Sequence, residues 1–454
     1  MKKITSFCLP LLCSFSAFAQ GPAITSWLQN TTGIVGRHYV AGNSTPITDT
    51  AHANVQSVKY SATSVYVTTQ GIPAYITGPF QDGNPSLATA QNAIFQMPLN
   101  PTKNTGTPKA TTLGNIGIFI NGVAMFDYRD GVSWKNSTSS LCGGPIHPPC
   151  QGDNVWNRDA VVAERAGFDC SKAHPAMGNY HHHQNPSAFN LDLNVLSNVC
   201  DLYASDGLYR IDSTKHSPLI GFAYDGFPVY GAYAYKNADG SGGIVRMKSS
   251  YSLRNITTRT TYADGSSVTA GPPVNATYPL GYFREDYQYN TTSAATPDYL
   301  DDHNGRFCVT PEYPAGTYCY FATVDEHWNS AYPYLVGPTF YGVWANRSVT
   351  SITETVTTYV PSSPNGIETN AEALNIRVFP NPASDVVAIQ VGTLARKNLK
   401  LELYDITGTL VQRAVLYQGS TIGYFDTRTL YNGSYVVKIY AGEEVVSRQV
   451  TIAH

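Results

Sequence analysis

Three consecutive histidines, His181, His182 and His183, are the clearest indication of a chemically active site in this sequence. The chain has 454 residues and only 11 histidines. Successive side chains of a β-strand point to opposite faces. His181 and His183 would therefore share one face of a strand, with His182 on the other. Two imidazoles on one face form a pair of metal ligands, or an acid–base pair that titrates near neutral pH.

A mononuclear site of the three-histidine type needs one more imidazole. His174, His216 and His303 are the candidates for this third ligand. Imidazole nitrogens, with one carboxylate at most, suit Zn²⁺ or Cu²⁺ better than Ca²⁺ or Mg²⁺. The histidines therefore predict a zinc or copper site.

Two carboxylates, Asp225 and Glu312, are candidates for a general base if the site is catalytic. Asp225 follows a buried-looking strand at residues 220–223 and precedes a glycine. It could bind the metal, orient a ligating histidine, or serve as a turn residue that bonds its own backbone. The turn role is the favoured one for Asp225.

Six cysteines remain after the first 19 residues. An even number of cysteines in an exported chain favours disulfides. The chain has no CxxC spacing, which argues against a thiolate metal site. We expect local pairing, as Cys142–Cys150, Cys170–Cys200 and Cys308–Cys319.

Residues 1–19 have the pattern of a secretory signal peptide. Lys2 and Lys3 precede a mostly apolar stretch at residues 4–17, and Ala17-Phe18-Ala19 supplies a small-x-small cleavage site. The apolar stretch is too short for a membrane span, and we expect no transmembrane segment in the mature chain. The pattern predicts an exported protein.

The composition favours a mainly β protein. The chain has 32 tyrosines, 38 glycines and 28 prolines, and its charged residues amount to only 13%. Tyrosine favours strands, while glycine and proline favour turns. With a net charge of −3, nucleic acid is not an expected partner. We predict a large antiparallel β-rich domain with long loops at residues 20–348, and a Thr/Ser-rich linker at residues 349–373.

Residues 374–454 alternate apolar and polar side chains in short strands, which predicts a small Ig-like β-sandwich. This region resembles the type A sorting domain of the type IX secretion system. The matching segments are Phe379-Pro380-Asn381-Pro382-Ala383, LYDITG at residues 403–408 and GSYVVKIY from Gly433. The resemblance implies that the type IX secretion machinery recognises residues 374–454. It also implies that the protein is secreted or attached to the outer cell surface.

The segment Tyr180-His181-His182-His183 resembles the tetrapeptide of the YHYH family of exported bacterial proteins, with histidine in place of tyrosine at position 182. Further matching segments are HSPLIGFAYDGFPVYG, DHNGRF, PEYPAGTYCYF and YPYLVGPTFYG. The resemblance spans roughly residues 115–345. It implies that the histidines are metal ligands, and it implies no particular reaction.

Three functions are compatible with these patterns. The first is a secreted metal-binding β protein without catalysis. The second is a metal-dependent hydrolase or oxidoreductase, in which an open coordination position activates water. The third is a carbohydrate- or surface-binding module, in which tyrosines are stacking platforms and the histidines are structural. The GxSxG, HExxH and GxxxxGK motifs are absent, so the common hydrolase and nucleotide-binding classes gain no support.

Overall fold

A computed structural model describes residues 20–80, 87–144, 147, 149–187, 200, 203, 205–344, 348–361, 376–392, 395, 398–441 and 444–454. These residues are mainly β-structure, which confirms the predicted fold class. The predicted signal peptide, residues 1–19, lies outside the described residues. The same holds for residues 362–375, most of the second half of the predicted linker.

Short strands make up most of the chain before residue 361. They are β1 (Val35–Val40), β2 (Asn43–His52), β3 (Val55–Tyr60), β4 (Ser64–Thr69), β5 (Ile76–Thr77), β6 (Ala93–Pro98), β7 (Lys109–Ala110), β8 (Asn115–Phe119), β9 (Ala124–Phe126), β10 (Arg129–Lys135), β11 (Ser140–Gly143), β12 (Asn157–Asp159), β13 (His174–Ala176), β14 (Asn179–His182), β15 (Leu219–Ala223), β16 (Pro228–Tyr230), β17 (Tyr233–Tyr235), β18 (Ile244–Arg246), β19 (Tyr251–Leu253), β20 (Tyr287–Tyr289), β21 (Gly305–Cys308), β22 (Thr317–Phe321), β23 (Thr339–Phe340), β24 (Ser348–Val349) and β25 (Thr357–Tyr359).

The helices are short and lie between strands. The α-helices are α1 (Pro22–Thr25), α2 (Ala160–Glu164) and α3 (Thr291–Ala294), and single 3₁₀ turns cover Asn136–Thr138, Arg165–Gly167 and Arg284–Asp286. Asp159 caps the N-terminus of helix α2, and its carboxylate accepts hydrogen bonds from the N–H groups of Val161 and Val162 at 2.9 and 3.2 Å. This N-cap satisfies backbone donors that the helix itself leaves open.

Two large sheets form the main part of the molecule. An eight-stranded sheet has the order β13-β14-β9-β8-β15-β16-β22-β21, and a five-stranded sheet has the order β24-β6-β4-β3-β25. Strand β15 is buried along its whole length, as expected for a strand near the centre of a covered sheet. Val67 and Phe95 of the smaller sheet share one apolar core with Ile118 and Phe222 of the larger sheet. The core therefore lies between the two sheets.

The beginning of the predicted linker belongs to the five-stranded sheet. Strand β24 pairs with β6 at one edge, and β25 pairs with β3 at the other. The residues between them cross the sheet, where the Tyr66 hydroxyl donates to the Glu354 carboxylate at 2.5 Å. Residues 348–359 therefore cover both edges of this sheet, which are otherwise exposed to pairing.

The C-terminal region is a two-sheet sandwich, as predicted. Its strands are β26 (Arg377–Phe379), β27 (Val386–Gln390), β28 (Leu399–Asp405), β29 (Leu410–Leu416), β30 (Ile422–Asp426), β31 (Gly433–Ala441) and β32 (Glu444–Ile452). One sheet has the order β26-β27-β30 and the other β29-β28-β31-β32. Val387 and Ile389 of the first sheet pack with Leu401 and Val437 of the second in a core of their own. The alternating side chains therefore close a sandwich.

Two of the three predicted disulfides are present, Cys142–Cys150 and Cys170–Cys200. The prediction of Cys308–Cys319 is wrong for this structure, because both residues are buried free thiols. In the β21–β22 ladder Cys308 lies opposite Thr317, and Cys319 lies opposite Arg306. The two cysteines are thus diagonal neighbours. Diagonal Cα atoms are about 7–8 Å apart, which is beyond the usual span of a disulfide.

Candidate metal centre

The β13–β14 hairpin brings two of the predicted ligands together. His174 lies directly opposite His181 in the antiparallel register. The two turn residues, Met177 and Gly178, have φ angles of 51° and 85°, as a two-residue type I′ hairpin turn requires. His174 and His181 therefore project from the same face of the hairpin, and His183 follows on that face after β14 ends.

The three imidazoles form a buried cluster. One ring nitrogen from each of His174, His181 and His183 lies within 4.8 Å of the other two. The Nε2 atoms of His181 and His183 are 3.0 Å apart. The three residues are 5%, 1% and 3% exposed. Three histidine nitrogens are therefore held together with little access to bulk water.

Backbone carbonyl groups orient two of the rings. His181 Nδ1 lies 2.8 Å from the carbonyl oxygen of Asn179, and His183 Nδ1 lies 2.6 Å from that of Asp127. A carbonyl oxygen can only accept a hydrogen bond, so each Nδ1 must carry a proton. In the neutral rings each Nε2 is then a free base. Metal-ligating histidines are commonly oriented by such a bond from the non-ligating nitrogen.

A carboxylate stands beside the cluster. Glu164 is the last residue of α2, and its Oε2 lies 3.3 Å from His174 Nε2 and 3.4 Å from His183 Nε2. Burial raises the pKa of Glu164, but its contacts with the imidazoles of His174 and His183 outweigh burial and hold the pKa well below its usual range. Glu164 is therefore an anion beside two of the three rings.

Aromatic rings enclose the imidazoles. Phe126 stacks on His181 with ring centroids 3.6 Å apart, and Phe168 meets His174 edge to face at 4.9 Å. Burial lowers the pKa of His181 well below its usual range, and the neighbouring His183 and His174 lower it further. Protonation of His181 is therefore disfavoured in this environment.

The distances suit a metal ion. With ligand bonds of about 2.0–2.1 Å, tetrahedral coordination places ligand atoms roughly 3.3 Å from one another. The His181–His183 separation of 3.0 Å is close to this value, and all three ligand nitrogens lie within 4.8 Å of one another. The three histidines therefore have the donor type that a transition-metal ion requires, at a spacing close to that of a bound site.

His182 points to the opposite face, as strand alternation predicts. Its Nε2 lies 2.8 Å from the hydroxyl of Tyr75, and its ring packs edge to face on Phe119 with centroids 5.2 Å apart. Burial is the main cause that lowers the pKa of His182, to about 3. The middle residue of the run is therefore part of the packing behind the cluster.

Two of the predicted ligands lie elsewhere. His216 Nδ1 bonds the carbonyl oxygen of Ser217 at 2.7 Å, and the ring lies between Tyr230 and Tyr235. His303 Nδ1 lies 2.7 Å from the hydroxyl oxygen of Thr339. The structure brings neither histidine into the three-histidine cluster.

The two predicted acids also have other partners. Asp225 is fully buried and accepts hydrogen bonds from the Tyr320 hydroxyl at 2.5 Å and the Gly342 N–H at 2.8 Å. Glu312 accepts from the Tyr230 hydroxyl at 2.8 Å. Asp225 thus joins a turn to a distant segment. The carboxylate beside the histidines is Glu164, which the sequence analysis did not identify because its only local feature is its place in a short helix.

Two family models match the chain. The model described as YHYH protein matches residues 94–333, and the secretion system C-terminal sorting domain matches residues 377–453. The first match covers more than half of the chain and contains Glu164 and the three histidines. The second indicates a protein that is secreted or at the cell surface. No curated protein matches the chain. In the described residues, no helix is long and apolar enough to span a membrane.

Proposed function

We propose that this chain, which belongs to the YHYH protein family, binds a divalent transition-metal ion through His174, His181 and His183. The protein is secreted or at the cell surface, so the metal centre would act outside the cell. The type IX secretion machinery would recognise residues 374–454, the region that contains the sorting domain.

One observation carries the proposal. The Nε2 atoms of His181 and His183 face each other at 3.0 Å, while each Nδ1 donates to a backbone carbonyl group. If both rings are neutral, the lone pairs of their Nε2 atoms point at each other. A cation must therefore lie between them, either a proton or a metal ion. Burial and the neighbouring imidazoles disfavour a proton on His181, whereas a metal ion can accept both Nε2 lone pairs at once, and we propose the metal ion as the occupant.

The donor set favours zinc or copper. Three imidazole nitrogens with a carboxylate beside them are ligands of intermediate hardness, which suit Zn²⁺ and Cu²⁺ rather than Ca²⁺ or Mg²⁺. Cu²⁺ binds such sites more tightly than Zn²⁺ in general, so metal supply would decide between them. We therefore propose Zn²⁺ or Cu²⁺ as the occupant.

The tyrosines do not favour the alternative of a carbohydrate-binding module. Stacking platforms must be exposed. In the part of the chain before residue 361 that the structure describes, every tyrosine is buried or half-buried. Many of them pack on one another, as Tyr287 does on Tyr332 with ring centroids 4.1 Å apart. The abundance of tyrosine is explained by packing.

Metal content is the direct test. The purified protein would be stripped with a chelator, dialysed against Zn²⁺ or Cu²⁺ and then against buffer, and measured by elemental analysis. We expect one equivalent of metal in the wild type. The double variant His181→Ala/His183→Ala should hold less than a tenth of an equivalent, because two of three ligands are removed.

Matched histidine variants control for adventitious binding. His216→Ala and His303→Ala remove imidazoles that lie outside the cluster, so both should still hold one equivalent. A wild-type protein with no bound metal would refute the proposal. So would a double variant that binds as much metal as the wild type.

A further inference from the structure

We infer that the cluster is a hydrolytic centre in which Glu164 takes a proton from metal-bound water, with small uncharged carboxylic esters as the substrate class. This inference rests on the proposed metal site and adds an activity to it. It also gives Glu164 the general-base role for which the sequence offered Asp225 and Glu312.

The position of Glu164 distinguishes a base from a ligand. Its Oε2 is 3.3 and 3.4 Å from two of the ring nitrogens, but the group of mutually close ligand atoms contains only the three histidines. Glu164 therefore lies towards His174 and His183 and away from His181. A fourth ligand would be equally close to all three nitrogens. A carboxylate displaced to one side is placed to accept a hydrogen bond from a water molecule in the fourth position.

The carboxylate has the free capacity for this role. Glu164 Oε2 is buried and accepts no hydrogen bond from the residues that the structure describes. A buried polar atom without a partner is unfavourable. A water molecule on the metal would donate to this atom and remove the penalty.

The Glu164 side of the site is the least enclosed, although Oε2 itself is buried. The Glu164 side chain is 18% exposed, whereas those of His174 and His183 are 6% and 3% exposed. A substrate that reaches the fourth coordination position would therefore pass the carboxylate. Three protein ligands and one open position are typical of catalytic rather than structural zinc sites.

The surroundings restrict the substrate. Phe126 and Phe168 line the histidines, which favours apolar groups. Asp130 is a further buried acid near Glu164, but its charge is paired with Arg158. The Glu164 anion disfavours phosphate esters and other anions at the fourth position. The narrow access then leaves small uncharged acyl compounds as the best match.

The proposed reaction is balanced by water alone. The water oxygen attacks the carbonyl carbon of the ester, and its proton passes to Glu164. The bond from that carbon to the leaving alkoxide then breaks, and Glu164 delivers the proton to the alkoxide. The products are one carboxylic acid and one alcohol, with no oxidant or reductant required.

The test measures hydrolysis of 4-nitrophenyl acetate by the zinc-loaded protein, together with metal content in the same samples. We expect Glu164→Gln to keep one equivalent of zinc and to lose roughly 10²–10⁴-fold in kcat, the usual contribution of a general base. Glu164→Asp, which retains a carboxylate, should recover part of the loss. Glu312→Gln changes the same residue type at a position away from the cluster and should leave kcat unchanged.

The outcomes separate this inference from the metal site itself. A wild-type protein that holds zinc but hydrolyses the ester no faster than free Zn²⁺ overturns the inference and leaves the metal site standing. A Glu164→Gln protein that loses its zinc assigns Glu164 as a ligand and also overturns the inference. Equal kcat values for Glu164→Gln and the wild type would do the same. A wild type without metal would refute both proposals.

Discussion

His174 and His181 are paired directly across the β13–β14 hairpin, so that their imidazoles reach the same face with ring centroids 4.8 Å apart. The tight turn at Met177 and Gly178 sets this register, because both residues take positive φ angles. The histidine outside the contiguous run is therefore as well placed for metal binding as those within it.

We expect His174→Ala to weaken metal binding as strongly as His181→Ala does. Both variants remove one of three ligands, so the loss should exceed the roughly 10–100-fold that orienting partners contribute. Competition with a chelating dye measures the dissociation constant. His216→Ala is the matched control and should bind as the wild type does. A His174→Ala protein with unchanged affinity would exclude His174 from the site.

Tyr180 supports the cluster from behind. Its hydroxyl donates to Asp169 Oδ2 at 2.8 Å, and the same oxygen accepts from the Gly78 N–H at 2.9 Å. Tyr180→Phe leaves a buried carboxylate with one donor fewer, so we expect a loss of about 1–3 kcal/mol in the free energy of unfolding. Denaturant unfolding measures this loss. Tyr431→Phe, at an 89% exposed ring, should change little, and equal stability of both variants would argue against the role of Tyr180.

Strand alternation was sufficient to predict which of the three histidines share one face. The period of two is a local property of the backbone, so His181 and His183 could be assigned to one face and His182 to the other. The C-terminal sandwich was predictable for the same reason, because its strands alternate and its turns are marked by glycine, as at Gly408 and Gly433.

Glu164 could not be found in this way. It lies in a helix of five residues, and nothing local connects that helix with the hairpin that carries the histidines. The proximity of Glu164 to the histidines depends on the tertiary packing of α2, which the local sequence does not specify. Asp225 has the turn role that its sequence favoured, because it accepts a hydrogen bond from the Phe227 N–H at 3.2 Å. Its further bond to the distant Gly342 N–H depends on tertiary packing, which the local sequence does not specify.

The buried ion pair of Arg259 with Asp286 should dominate the stability of the long loop at residues 255–279. Both side chains are 0% exposed and are joined by two hydrogen bonds of 2.7 and 2.8 Å. Arg259→Leu leaves a buried carboxylate without its partner, so we expect a loss of about 3–5 kcal/mol in unfolding free energy.

An exposed pair with similar geometry is the control for Arg259. Arg428 and Asp426 form two hydrogen bonds, but their side chains are 69% and 54% exposed. Arg428→Leu should therefore lower the unfolding free energy far less than Arg259→Leu does. Similar losses in both variants would show that burial does not decide the strength of these pairs.

Cys308 and Cys319 should titrate as free thiols. Protein that begins at residue 20 has six cysteines, of which four are in disulfides. Unfolding without reductant should therefore expose two thiols to Ellman's reagent, and Cys319→Ser should lower the number to one. A wild-type value of zero would show that the two cysteines are joined in solution.

The fully buried carboxyl of Asp225 should make stability fall as pH rises. Burial raises the pKa of Asp225 from 3.8 to about 6, so in the interval between these values the folded protein keeps a proton that the unfolded chain has lost. Stability from this group is complete below pH 3.8 and is lost as pH rises through 6. The loss is on the order of 3 kcal/mol, since a tenfold change in proton affinity corresponds to about 1.4 kcal/mol.

The variant Asp225→Asn has no ionisable side chain at this position, so its stability lacks this pH-dependent contribution. The difference in unfolding free energy between wild type and variant should therefore shrink by up to that amount between pH 4 and pH 6.5, measured by denaturant unfolding of metal-free protein. Asp302→Asn, at a side chain that is 54% exposed, should keep the pH dependence of the wild type. A constant difference between wild type and Asp225→Asn would mean that Asp225 has the same pKa in the folded and unfolded chains, and that its bonds to Tyr320 and Gly342 offset the effect of burial.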